Sequence, residues 1–580
     1  MLSLLSKITD TNDSATENLL EFRLPIYYLE DKFPIQESIK NDLELLPNPK
    51  IDKISLYNYL FNPVSNYENN IIPLWSEYYT PNVKFLSDTQ YLIKKFQHIS
   101  SPDIKDINNI QLILDEVNTE TGFYEKYKYV DIKIFESLNN NPFFLQILTL
   151  YNLTSPFITL IIPIIMLIIP FFILKLQKTP ITLTTYLSIL TTILKNHIIG
   201  RAIAEFSSVD WDRKFIFIIS IGMYFVNIYN NIISCYTFYK NINKIRNYLI
   251  SINNFLKYSI DSITNINKYC KSSYTYFCNT NEQIKNNLDS FSREISAINL
   301  EKVSIKQIGK IGNILKCFYQ LFKNKIYKES VIYSLQLHGY IGNITNLQNN
   351  IKLKNINYCK FTNNESSFKG AYFASLINNN PIKNNYNLNK NILITGPNAA
   401  GKTTLLKTTL FNIILSQQLG IGFYKKAKIN PYKYIHSYIN IPDTSDRDSL
   451  FQAEARRCKE ILDFISNSNK SDRHFCIFDE IYSGTNPSEA IASAYSFLNY
   501  ISKNKNLNYM LTTHYITLCN MMNENKNIIN QQMKVNNNVN TYQLIKGIST
   551  IKGGIKVLEE LGYNPEIICS AKETIKNINI

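Results

Sequence analysis

Apolar and polar positions follow different rhythms along the 580 residues. Residues 1–150 mix short apolar runs with Pro, Asn and Asp. Pro25, Pro34, Pro47, Pro49, Pro63, Pro73 and Pro81 interrupt the first part, which argues against long helices there. Phe157–Leu174 then reads FITLIIPIIMLIIPFFIL, eighteen residues without a charge. At 1.5 Å per residue this is just enough to cross a bilayer core of roughly 30 Å. Pro156, Pro163 and Pro170 recur every seven residues, and Lys175 and Lys178 close the run as interfacial anchors do. A second run, Phe215–Tyr229, follows Arg213 and Lys214. Extended to Tyr236 it makes a second span, and two spans return the chain to the side it left. The competing reading of both runs is the buried core of a soluble domain.

Residues 237–350 contain no Pro. Ile245, Leu249, Ile252, Leu256 and Ile260 recur at helical spacing, so this segment predicts several long helices, the last near Ser330–Leu347. Residues 351–361 (IKLKNINYCKF) alternate as a strand does. Asn378–Asn380 and Asn536–Asn538 read as loops.

Charge sharpens this division. Residues 1–156 carry 13 Lys/Arg against 21 Asp/Glu, whereas 237–330 carry 15 against 6. The basic segment suits an anionic partner, DNA phosphates or lipid head groups, or else a solvated helical surface. Nine cysteines, an odd number with no C-x-x-C pair, argue for a reducing compartment and against a disulfide framework or zinc site. The first residues, MLSLLSKITDTNDS, have too short an apolar run for a signal peptide.

The chemistry gathers in the last third. Asn391–Thr404 reads NILITGPNAAGKTT, an apolar strand (Ile392–Ile394), the loop Gly396-x-x-x-x-Gly401-Lys402-Thr403, and a helix (Leu405–Leu415). This is a phosphate-binding loop in the required context. Its glycines let backbone N–H groups wrap phosphates, Lys402 reaches the β- and γ-phosphates, and Thr403 ligates Mg2+. Phe475–Glu480 (FCIFDE) is an apolar strand ending in two carboxylates. There Asp479 suits Mg2+ and Glu480 suits a general base that polarises the attacking water. Tyr509–Tyr515 (YMLTTHY) places His514 at the end of another strand, where it can contact a γ-phosphate.

The sequence between these motifs resembles the MutS family of DNA mismatch-repair ATPases. TGPNAAGKTT, DEIYSGTNPSEA, TTHY and the Ser-x-Phe-x-x-Glu pattern within DRDSLFQAE (446–454) are similar to that family's signatures. So is the tail YQLIKGISTIKGGIKVLEELGYNPEII, with Gly554-Ile555 before a helix and a Gly562-x-x-Pro565 turn. The resemblance implies an ABC-class α/β P-loop domain over 351–580 that hydrolyses ATP in a dimer with shared sites. ATP would lie on Gly396, Pro397, Asn398, Ala399, Ala400, Gly401, Lys402, Thr403 and Thr404, with Mg2+ at Thr403 and Asp479 and catalysis by Glu480 and His514. Ser449 would touch the γ-phosphate from the opposite subunit, and Ser483, Gly484 and Thr485 would link the two sites.

One departure matters. The family's mismatch reader carries a Phe-x-Glu wedge, and Phe123-Tyr124-Glu125 has that spacing. No recognisable wedge domain surrounds it, so the triplet reads as a chance match. The missing LSGGQ signature and the small number of spans exclude an ABC transporter, and the short separation of the motifs excludes a chromosome-condensation clamp. The expected organisation is a domain of unknown fold (1–150), a hydrophobic, transmembrane helical hairpin (151–236), a lever-like helical region (237–350) and the ATPase domain (351–580). The expected function is a homodimeric MutS-like ATPase acting on duplex DNA. The alternative is a membrane-anchored ATPase acting on a protein or lipid partner, with its ATPase on the cytosolic or nuclear side.

Overall fold

The computed structural model describes residues 21–47, 54–99, 104–118, 122–178, 180–194, 210–298, 300, 309–439, 450–536, 539–551, 555, 558–559 and 561–577. They divide into two compact units, one of residues 1–100, 263–282 and 333–580, the other of 101–262 and 283–332.

The second unit is helical. Its longest elements are α1 (Pro142–Leu176) and α2 (Trp211–Tyr269), the latter belonging here as far as Ser262. Asn141 caps α1 by accepting from the N–H groups of Phe143 and Phe144, and Pro142 sits at the first position, where its missing N–H is harmless. Pro156, Pro163 and Pro170 lie inside α1 without ending it. The two helices run antiparallel: Tyr224 OH donates to the Thr159 carbonyl (2.8 Å), and Cys235 Sγ to that of Leu153 (3.4 Å). Between them, Leu183–Leu194 forms a shorter apolar helix that packs on α1.

The two ends of this unit differ in burial. Toward the start of α1 there is a core: Leu145, Ile245, Leu249, Leu256, Leu288, Leu315 and Phe318 are buried. The helix Ile311–Lys323 crosses the start of α1 so closely that a Cβ on Gly312 would lie 2.1 Å from the Pro142 carbonyl oxygen. Glu116 lashes α2 to the preceding segment by accepting from Lys244 (2.8 Å), Tyr127 (2.6 Å), Tyr248 (2.6 Å) and Lys126. Burial pushes the Glu116 carboxyl up, but these four donors outweigh it and hold the group well below the usual carboxylate range. Phe123 is 2% exposed and stacks on Phe322, with ring centres 4.1 Å apart. Its ring is a core side chain, as the chance-match reading of Phe-x-Glu expects.

In the first unit, the helices of residues 21–99 are short, the longest being Val83–Lys95, and they pack on an α/β fold. Six strands, β1 (Asn391–Thr395), β2 (Tyr434–Tyr438), β3 (His474–Asp479), β4 (Leu507–Thr512), β5 (Ile528–Asn536) and β6 (Val539–Lys546), form a sheet in the order β6-β5-β1-β4-β3-β2. All neighbours are parallel except β5 and β6. Every residue of β1 is buried, as expected of a parallel strand covered on both faces. A second, five-stranded sheet includes Asn357–Phe361. The strand expected over 351–361 thus begins at Asn357, because the helix Lys325–Lys352 runs on past its expected end.

The helix after the phosphate loop, α3 (Lys402–Leu419), starts three residues before the expected Leu405 and is buried almost all round. Its two buried glutamines are therefore hydrogen-bonded. Gln418 donates to the carbonyls of Trp75 and Tyr78 and accepts from Tyr57 OH, while Gln417 donates to the Tyr432 carbonyl and accepts from the Tyr432 N–H. Gln418 thus fixes the N-terminal segment to the helix that presents the phosphate loop, since a buried amide left unpaired would be strongly destabilising.

Candidate nucleotide-binding site

The site lies at the C-terminal ends of β1, β3 and β4, where open parallel sheets place their ligands. The loop Gly396–Gly401 leaves β1 and ends as the N-cap of α3, with Gly401 in the left-handed region (φ +88°). A Cβ on Gly401 would also press on the Tyr542 ring at 3.1 Å, so this position needs glycine twice over. Lys402 is buried and donates to the carbonyls of Gly396 (3.1 Å) and Pro397 (3.2 Å). Burial lowers its pKa, against the pull of the nearby Glu480 and Asp479 carboxylates.

Asp479 is the last residue of β3. Its Oδ2 accepts from Thr403 Oγ1 (2.8 Å) and its Oδ1 from Thr512 at the end of β4. A hydroxyl and a carboxylate this close, beside a phosphate cradle, form the hard oxygen set that Mg2+ takes. Glu480 Oε1 lies 2.7 Å from His514 Nε2 and 3.7 Å from Lys402 Nζ. The hydrogen bond from His514, with the Lys402 charge, holds the Glu480 carboxyl below its ordinary value. Sequence positions 396 to 514 thus converge on one small cluster of charges.

Asn398–Thr404 and Glu480 also line a cavity of about 790 Å3. Its far wall is made of Tyr372, Phe373, Leu376, Ile382, Met533 and Tyr542. These flat and apolar side chains suit the base of a nucleotide whose phosphates lie on the loop. The sequence reading missed them. Tyr372 and Phe373 follow a strand of the other sheet and Tyr542 lies in β6, so only the Ala-Tyr-Phe run beyond a strand end hinted at them.

Residues 392–579 match the family model for MutS domain V. This C-terminal region is similar to domain V of the MutS family. It is 29% identical over 187 residues to Endonuclease MutS2 of Staphylococcus carnosus (strain TM300), covering 32% of this chain and 23% of the relative. The same-named protein of Staphylococcus aureus is 29% identical over 188 residues, 32% of this chain and 25% of the relative. The chain therefore spans about a quarter of the length of these relatives.

Within MutS domain V, the segment after Asp479 takes an unusual course. Glu480 (φ +54°) and Tyr482 (φ +58°) are both left-handed, which for a non-glycine residue costs roughly 1–3 kcal/mol. The buried Glu454 of α4 (Leu450–Asn467) meets this segment. Its Oε1 accepts from Ser483 N–H (3.1 Å) and Ser483 Oγ (2.8 Å), and its Oε2 from Gly484 N–H (3.1 Å). Hydrogen bonds to a charged acceptor contribute roughly 1.5–3 kcal/mol each, enough together to offset the strain. Ser483 is thus turned toward Glu454, and Thr485 Oγ1 donates to Glu489 at the start of α5 (Pro487–Ile501). Ser449, expected to reach the opposite subunit's nucleotide, lies outside the described residues.

Proposed function

We propose that the protein binds ATP with Mg2+ and hydrolyses it, working as a homodimer on duplex DNA. The observation that carries the nucleotide chemistry is the meeting of Lys402, Thr403, Asp479, Glu480 and His514 at three adjacent strand ends. In this reading Lys402 leaves its two loop carbonyls for the β- and γ-phosphates. Thr403 and Asp479 hold Mg2+, which neutralises phosphate charge. Glu480, kept ionised, takes a proton from the attacking water while His514 fixes its orientation. Ser449 would complete the partner's site and the Ser483–Thr485 loop would link the two sites, as the family resemblance implies. Nucleotide chemistry is what carries over from the Endonuclease MutS2 relatives, because the shared stretch is MutS domain V. The excess of Lys and Arg over 237–330 supports DNA as the partner. ATP turnover with and without duplex DNA, matched or mismatched, tests this: stimulation that falls steeply with salt supports DNA action, and indifference to DNA removes it.

A second reading is favoured by a specific observation: the protein is also membrane-anchored, through α1 and α2. Phe157 (65%), Ile164 (56%), Phe172 (56%), Phe215 (65%) and Phe225 (62%) are exposed apolar side chains on an otherwise folded chain. Soluble monomers rarely expose contiguous apolar surface on this scale. From Leu153 to Leu174, α1 is about 30 Å long, a bilayer's hydrocarbon thickness. Trp211 is 82% exposed at one end, with Lys214 over its ring, and Tyr151 and Tyr236 are exposed toward the other. Aromatic and Lys residues at both rims are what an interfacial belt needs. Because the pair is antiparallel, the chain would return to the cytosolic or nuclear side. Carbonate-resistant sedimentation, lost on deleting Phe157–Leu174, is the expected result; a soluble full-length chain contradicts it.

A further inference from the structure

The course of residues 480–484 is not favoured by their own sequence. Glu480 and Tyr482 adopt left-handed backbone that neither residue type prefers, and the first glycine comes only at Gly484. The turn is instead shaped from outside, by α4. One contact is polar: the carboxylate of Glu454, 3% exposed, accepts from two consecutive N–H groups and one hydroxyl of the turn. The other is steric: a Cβ on Gly484 would lie 2.8 Å from the Phe451 amide nitrogen and 2.8 Å from Leu450 Cγ. The backbone of the turn therefore rests directly on the first turn of α4, and the Phe451 and Tyr482 rings close the same contact. Glu480 is the first residue of this turn, and its carboxylate sits 2.7 Å from His514.

We infer that Glu454 is a positioning residue for hydrolysis: it holds the strained 480–484 turn against α4 and thereby sets where the Glu480 carboxylate stands. This deepens the ATPase reading above and rests on it. Glu454 makes no contact with the nucleotide cavity; it acts through Ser483 and Gly484. A base displaced by about 1 Å loses rate by an order of magnitude or more, while the loop that grips the phosphates is unaffected. The signature is thus a fall in kcat with KM and ATP affinity unchanged.

Two variants approach the turn from opposite sides. Glu454→Gln keeps the size of the side chain but sets an amide N–H2 against one of the donors. Gly484→Ala keeps the carboxylate but pushes the turn off α4. In the full-length chain both are expected to lower kcat about ten-fold, leaving KM and ATP affinity within about two-fold of wild type. Amide hydrogen exchange at Ser483 and Gly484 should accelerate in both, and Glu454→Asp, which restores the charge, should recover part of the rate. A folded Glu454→Gln protein with wild-type kcat overturns the inference while leaving the ATPase reading intact. So does a parallel loss of ATP affinity, which marks a merely structural role. A wild-type chain that does not turn over ATP overturns the ATPase reading itself.

Discussion

Ile392, Leu393 and Ile394 of β1 are fully buried, while Ile158, Ile161, Ile164 and Ile168 of α1 are each about half exposed. The residue types are nearly the same and their use is opposite. In the nucleotide-binding region the apolar strands are covered on both faces, and the polar groups gather where the strands stop, so that burial places Asp479 and the 396–402 loop at one edge. In the hairpin the apolar side chains face outward around much of the helix, with Trp211 exposed at one end and Tyr151 and Tyr236 at the other. Hydrophobicity alone does not separate the cases. What separates them is whether other surface covers the apolar residues, and among the described residues much of α1 and α2 is left uncovered.

Four substitutions put that contrast to the test. The largest effect is expected from Ile164→Arg, on the exposed surface of α1. An Arg at a bilayer centre costs about 2.5–3.5 kcal/mol in insertion, so membrane association should fall markedly in sedimentation. If α1 faces water, the same change should leave the chain's distribution unaltered and its solubility improved. Lys402→Ala should weaken ATP binding about 10- to 100-fold, since one charge-assisted phosphate contact is removed, read by equilibrium dialysis. The membrane fraction of that variant should not change. Removing one imidazole of the buried pair comes next. His436 Nε2 lies 3.2 Å from His474 Nδ1, and burial lowers both, to about 3 and about 4. Both pKa values lie below the ordinary value of about 6.5, so their neutral forms support the fold above that pH, and the support is lost as pH falls toward 4. A His436→Phe variant should therefore lose less stability than wild type between pH 7 and pH 5 in thermal melts; identical losses would remove the pair from the account.

The smallest effect has the opposite sign. Asp42 is buried, and burial pushes its carboxyl up to about 6 despite the hydrogen bond from Ser437 Oγ. A folded pKa above the unfolded value of about 3.9 means that its contribution falls as pH rises from about 4 to about 6 and stays low above. Asp42→Asn should raise stability at pH 8 by at most about 3 kcal/mol and do nothing at pH 4. A gain of equal size at both pH values would contradict the buried charge as its source.

The strand–loop–helix around Gly396–Gly401, the strand before Asp479 and the long helices of 237–350 were legible in the sequence, because each is written in a contiguous stretch with its own period. The family of the C-terminal region was legible for the same reason. What stayed hidden depends on distant residues meeting. Gln417 and Gln418 look like a polar surface in sequence, yet both are buried, and Gln418 is the tie to Trp75 and Tyr78. Tyr372 and Tyr542 share a wall of the cavity although 170 positions separate them. The left-handed turn has no glycine at Glu480 or Tyr482 to announce it; Glu454, reaching over from α4, holds it.

The central claim is that the cluster on β1, β3 and β4 hydrolyses ATP with Glu480 as the base. Phosphate release by the full-length protein, compared with Glu480→Gln under saturating ATP and Mg2+, tests it most directly. Turnover should fall about 100-fold or more while the variant still retains ATP at wild-type affinity. Equal turnover in the two proteins, or a wild-type chain that releases no phosphate, would contradict it.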